Sequence, residues 1–394
     1  MNALYSIGYS LTAKGFAFIL NYIAINLLLL DSYGQFSLIF STINSFIVVT
    51  SLGLLYCGNI IASKWMHKNR EYVFNYFKFS FFLIIFLSLL FSGIYSLFSG
   101  NFLIIFLSTF IYSLVFLFDG FLYGVGNIKI LFILGIINVI FSLVVSFFLM
   151  NDYGLKGALY ALVFSKMVLI VLQSIVFFKQ FKNLNLNLNL KYKKQIFLFY
   201  KKNNIPIILS SLIATPIVTL LMYILSYNNG LKGVAIFSWC YQIYLLGMFV
   251  PMALGSYYIT ILNRKINEDK KIILLKITVF NIISSLFLCI VFFVFKNPIL
   301  SFGNIYEISE AHKVFDAFML CMIAYSINLG FFSYWSSIGK SYLHLRMQII
   351  WSFIVFLLTL ILVNKWGALS IPISMSIAFI VQFLAQIVEL NKVK

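Results

Sequence analysis

Apolar positions in this chain neither alternate with polar ones nor form a single amphipathic stripe. They run on for about 20 residues at a time, the length a helix needs to cross roughly 30 Å of hydrocarbon. Short clusters of Gly, Asn, Lys and Tyr interrupt them. The runs predict twelve membrane-spanning helices, at 11–30, 36–57, 77–98, 102–124, 130–150, 157–178, 205–226, 234–260, 272–295, 314–335, 346–363 and 369–389. The fold class expected is all-α and polytopic. An outer-membrane barrel is excluded, because its strands alternate in polarity over about ten residues.

Composition sharpens this reading. Of 394 residues, 62% are hydrophobic and only 10% charged, where a soluble domain carries about 25%. Too few charges exist to cover a water-facing surface. Net charge is +18, from 28 Lys+Arg against 10 Asp+Glu. In a soluble protein that excess would suggest nucleic acid; here the basic residues sit in short loops between spans. With the N-terminus placed inside, 21 basic residues fall in inside segments and 5 outside, at Lys156, Lys232, Lys296, Lys313 and Lys365. The positive-inside rule therefore predicts a multi-pass protein of a bacterial inner membrane with both termini cytoplasmic. No cleavable signal peptide is recognised, and the first apolar run reads as a retained span.

The chain divides at its most basic inside loop, giving an N-terminal six-helix lobe at 1–178, a linker at 179–204 and a C-terminal six-helix lobe at 205–394. The linker holds seven lysines and the low-complexity run Asn183–Leu190. It reads as an anchor, and clustered lysine beside a span also suits the anionic inner leaflet. An internal echo supports the division. Gly126, Asn151, Tyr153 and Gly154 correspond to Gly339, Asn364, Trp366 and Gly367 at one offset of 213 residues. Such repeats are typical of transporters, with the substrate site between the halves.

Chemistry is scarce. The four cysteines, Cys57, Cys240, Cys289 and Cys321, form no CxxC pair, so neither a disulfide framework nor a metal centre is expected. No nucleotide-binding, zinc-protease or nucleophile-elbow motif occurs, and no cofactor is expected. Ionisable residues within spans are costly and usually face a partner or a cavity. Lys166 lies near the middle of span six, Asp119 toward the inner end of span four and Lys14 near the start of span one. Lys166 reads either as a cationic cavity residue or as a structural partner of Asp119. Asp119 reads as a substrate or coupling-ion group, or as the partner of Lys129 or Lys14. Lys14 is within snorkelling reach of the interface. Asn138 and Gln242 belong to a set of polar span residues that suits interhelical hydrogen bonds and sugar contacts alike. Pro216, which follows Thr215 inside span seven, removes a helix hydrogen bond and is the hinge candidate.

Twelve spans in a 6+6 arrangement with minimal loops resemble the Wzx-type polysaccharide flippases of the multidrug/oligosaccharidyl-lipid/polysaccharide (MOP) exporter superfamily. Local sequences agree: Asp31-Ser-Tyr-Gly-Gln-Phe36, Gly124-Val-Gly-Asn-Ile-Lys129 and Tyr153-Gly-Leu-Lys-Gly-Ala158. The resemblance implies two six-helix lobes around a central cavity. It also implies alternating-access movement of an undecaprenyl-diphosphate-linked oligosaccharide, such as an O-antigen repeat unit of lipopolysaccharide, from the cytoplasmic to the periplasmic leaflet. A polysaccharide polymerase and a chain-length regulator would be its partners, beside membrane lipids. A multidrug exporter of the same superfamily is the alternative. An integral-membrane polymerase or ligase ranks third, since its usual large outer loop is missing: the longest here is 296–313.

Overall fold

The computed structural model describes residues 2–99, 102–180, 192–253, 270–338 and 340–392. Outside them lie the low-complexity run of the linker, the end of span eight, basic residues counted above such as Arg264 and Lys265, and Gly339 of the echo. Every long element among the described residues is a helix, and none is a strand. In chain order these are α1 (Asn2–Leu27), α2 (Leu30–Thr50), α3 (Leu54–Trp65), α4 (Arg70–Ser99), α5 (Phe102–Gly124), α6 (Ile128–Lys179) and α7 (Lys193–Phe199). A π-helical turn (Tyr200–Asn204) leads into α8 (Ile205–Gly247) and α9 (Phe249–Ala253). Then come α10 (Lys270–Val294), α11 (Lys296–Phe302), α12 (Ser309–Ser326), α13 (Leu329–Ser337), α14 (Ser341–Trp366) and α15 (Ser370–Lys392).

Nine continuous helical stretches among the described residues are long and apolar enough to cross a membrane. Three of the nine reverse at a glycine. Gly154 within α6 has φ 54, ψ −128; Gly367, after α14, has φ 52, ψ −132; Gly230 within α8 has φ 71, ψ −178. Divided there, the nine stretches become the twelve spans read from the sequence. Contacts across the first two reversals show that the arms run back on each other. Ser142 Oγ reaches the Ser165 carbonyl at 3.3 Å, and Trp351 stacks on Phe379 with centroids 5.2 Å apart. The protein is thus an all-α, multi-pass membrane protein.

The segments expected as outside loops at 151–156, 227–233 and 364–368 are almost wholly helical. In an apolar surrounding each backbone N–H and C=O must find a partner, so helix persists up to the residue that turns. Gly154 and Gly367, equivalent in the internal echo, share nearly the same dihedrals, so the repeat extends to backbone conformation.

Span two is interrupted. Leu52 and Gly53 both adopt positive φ (54° and 64°) between α2 and α3. The interruption is roofed by protein: Asn204 is fully buried and its Nδ2 donates to the Leu52 carbonyl at 2.7 Å. Below it α3 lies tightly along α5, where a Cβ at Gly120 would fall on the Leu54 carbonyl. Small residues of this kind let membrane helices approach closely.

The chain forms two compact units. One contains Met1–Ile23 with Ile39–Thr215, and the other Ala24–Leu38 with Pro216–Lys394. In the second unit, the tip between α1 and α2 is held by Asn26, whose Nδ2 donates to the Phe302 carbonyl at 2.9 Å. There too Lys296 pairs with Asp316 at 2.7 Å and Arg346 with Glu389 at 3.1 Å.

Candidate functional site

The first unit gathers polar groups at membrane depth on three helix faces, each supplying two residues seven apart. α1 supplies Tyr9 and Phe16, α5 supplies Tyr112 and Asp119, and the second arm of α6 supplies Lys166 and Gln173. Seven residues are about two helical turns, or roughly 10.5 Å along the axis. α1 runs opposite to both α5 and the second arm of α6, so the six side chains fall into two layers.

The layer nearer the start of α1 is built on Asp119. Its Oδ1 accepts from the Tyr9 hydroxyl at 2.5 Å and from Gln173 Nε2 at 2.7 Å. All three side chains are buried. A carboxylate at this depth is tolerable because donors from two other helices reach it. α1 can lie close enough to join because Gly8 and Gly135 are small where α1 meets the first arm of α6.

The deeper layer is built on Lys166, which is only 6% exposed. Its Nζ sits 3.8 Å from the centroid of the Phe16 ring and 5.8 Å from that of Tyr112. Asn138, on the first arm of α6, completes the shell. Its amide nitrogen donates to the Ser165 carbonyl at 2.6 Å, which turns its oxygen to accept from Lys166 Nζ at 3.3 Å. Ring faces and an amide oxygen thus replace water around the ammonium. Among the described residues no salt bridge joins Lys166 to Asp119, although the two charges attract across the layers.

Three candidates from the sequence, Lys166, Asp119 and Asn138, therefore meet in one cluster. Among the described residues Asp119 takes Tyr9 and Gln173 as its hydrogen-bond partners. The Lys14 side chain lies outside the described residues. Gln242 is half-buried on α8 in the second unit, and Pro216 is inside α8 as the first residue of that unit's main segment. Tyr9, Phe16 and Tyr112 escaped the sequence reading. The paired seven-residue spacing on three helices was the signal that would have found them. No group of three His, Cys, Asp or Glu side chains suited to a metal occurs among the described residues.

No family model matches the chain, and neither does any curated protein. Solved structures do. An inward-facing multidrug-resistance MATE family transporter of the MOP superfamily superposes with a TM-score of 0.78 at 14% identity, covering 99% of this chain and 98% of its own. The chain shares the fold of that structure. An outward-facing MATE transporter gives a TM-score of 0.67 at 15% identity, covering 100% of this chain and 95% of that one. A MOP-superfamily transporter from Pyrococcus furiosus gives 0.69 at 16% identity, with 99% and 94% covered. That protein is described as having a binding pocket of reverse polarity that suggests a different function. At these identities the fold is what is shared.

Proposed function

We propose that this chain is an alternating-access flippase for an undecaprenyl-diphosphate-linked oligosaccharide, working in the bacterial inner membrane from the cytoplasmic to the periplasmic leaflet. The observation that carries this reading is the state of Lys166. Its amine is held at membrane depth by neutral partners and by no direct ion pair among the described residues, so no adjacent carboxylate competes with an incoming anion for it. A diphosphate suits it, because charge-assisted bonds to phosphate oxygens are stronger than the cation–π contact they would supplement. The Asn and Gln groups around the cluster suit sugar hydroxyls. The likeness to both inward-facing and outward-facing relatives supports alternating access.

A multidrug exporter is the second reading, favoured by the multidrug-resistance description of two of the structural relatives. A cationic drug would need a free carboxylate, and both hydrogen bonds to Asp119 Oδ1 are internal. Deleting the gene and assaying surface polysaccharide and lipid-linked repeat units separates the two. The flippase reading expects polymer lost and single repeat units retained on the carrier lipid at the inner leaflet. Intact polysaccharide with new drug sensitivity transfers the assignment to the exporter. In the complemented strain, Lys166→Ala should abolish export at normal protein level.

A further inference from the structure

The inner-end surface of the first unit carries a feature that the Lys166 cluster does not explain. α7 has two faces. Ile196 and Tyr200 are buried, and Tyr192 and Phe199 pack beside them against the core around Tyr72, Tyr76 and Phe77. The other face exposes Lys194, Phe197, Leu198 and Lys201, with Phe197 63% and Leu198 53% exposed. Two large apolar side chains are therefore bracketed by two lysines on the outward side of a docked segment.

That segment is firmly built in. Trp65, Tyr72 and Tyr192 form a ladder of edge-to-face rings with centroids 5.6 Å apart at each step. Asn69 Nδ2 donates to the Tyr192 hydroxyl at 3.1 Å, and the Tyr200 and Ser80 hydroxyls lie 2.5 Å apart. The turn between α3 and α4, which the ladder joins to α7, exposes Lys64, Lys68 and Arg70 beside the 42% exposed ring of Trp65. Glu71, the acidic group there, receives the Tyr192 hydroxyl at 3.5 Å. The partners of α7 on α4, Tyr72 to Ser80, are the first turns of a span that begins at Arg70. The end of a span is where headgroups meet acyl chains.

We infer that α7 and the α3–α4 turn form a binding surface for anionic phospholipid of the inner leaflet, with Phe197 and Leu198 in the acyl region and Lys194, Lys201, Lys64, Lys68 and Arg70 around the headgroup phosphates. Phe and Leu exposed to water at this depth would lose their burial, whereas in the acyl boundary they regain it. Lysine stems extend along the apolar layer while their ammonium groups stay with phosphate. Charge complementarity selects acidic over zwitterionic lipid.

The test uses the full chain with Leu198→Cys, labelled with an environment-sensitive fluorophore. The native cysteines Cys57, Cys240, Cys289 and Cys321 are all buried, so labelling is selective. The protein is placed in nanodiscs of phosphatidylcholine with a minority of phosphatidylglycerol, and bromine quencher is carried on the acyl chains of one lipid or the other at equal mole fraction. Brominated phosphatidylglycerol should quench several-fold more strongly than brominated phosphatidylcholine. Lys194→Gln with Lys201→Gln should erase that preference and leave quenching by phosphatidylcholine in place. Equal quenching by both lipids in the protein with its lysines intact, or quenching by neither, would overturn the inference.

Discussion

At the scale of single residues, the cluster in the first unit combines a buried carboxylate with a buried ammonium, and the two are linked through space by attraction alone. Tyr9→Phe removes one of the two donors to Asp119 Oδ1. A hydrogen bond to a charged group contributes about 1.5–3 kcal/mol, so thermal unfolding in detergent should show a loss of that order, with exposed Tyr153→Phe unchanged as the control. The through-space attraction makes a second prediction. Lys166→Met and Asp119→Asn each leave the other charge buried without its counterpart, whereas the double variant leaves neither. The double should therefore cost less than the sum of the singles by about 1–3 kcal/mol; strict additivity would show that the layers are independent. Lys166 and Asp119 were legible in the sequence because charge within an apolar run is conspicuous. Tyr9 was not, since apolarity alone starts span one at residue 11, while α1 begins at Asn2. Phe16 and Tyr112 were hidden for a different reason: among 45 Phe and 24 Tyr, composition cannot separate a ring facing a cation from one facing lipid.

At the scale of elements, the spans were visible because a 20-residue apolar run has one stable form in hydrocarbon. Their turns were less so, because a polar cluster marks where the chain meets water and leaves unstated how much of it stays helical. Gly154 and Gly367 decide the turning points, and their conformation (φ near 53° with ψ near −130°) differs from that of Gly53 (φ 64, ψ 22), which is left-handed helical. Asn tolerates the left-handed helical region but not the glycine-only region. Gly53→Asn should thus fold with nearly unchanged stability, whereas Gly154→Asn and Gly367→Asn should each lose about 1–3 kcal/mol, read as melting temperature and yield after extraction. The break at Leu52 gives two further predictions. Asn204→Ala strands the Leu52 carbonyl in a buried site and should destabilise by about 1–3 kcal/mol. Leu52→Gly relieves a left-handed β-carbon clash of about 1–2 kcal/mol but empties a side chain buried in the core, a loss of about 2–5 kcal/mol. It too should therefore destabilise, by less than truncation of a core leucine in ordinary helix. Leu52 did not announce this break, since a bulky residue such as Leu is rarely found at positive φ.

At the scale of the whole molecule, the two compact units meet the chain in an unusual way. The boundary crosses at 23/24, 38/39 and 215/216, and each crossing falls inside a helix: α1, α2 and α8. No loop among the described residues stands at any of them, so motion of one unit against the other must be absorbed by bending of helices. α8 is the one of the three with a proline at its crossing, Pro216. Proline lacks the N–H that would bond four residues back and its ring crowds that carbonyl, so the helix bends there at lower cost. The turn before α8 is tied down at Asn204, which holds Leu52 and reaches Tyr76 at 3.1 Å. The start of α8 is thus fixed within the first unit, and Pro216 lies twelve residues beyond that anchor. Pro216→Ala restores the missing hydrogen bond and should stiffen this stretch. Hydrogen exchange should then slow at amides 212–220 while melting temperature holds or rises, and the rate of substrate movement in proteoliposomes should fall several-fold. Slower exchange with an unchanged transport rate would show that bending at Pro216 is not the step that limits the cycle. Unchanged exchange would show that Pro216 does not loosen α8, and would shift the hinge to α1 and α2.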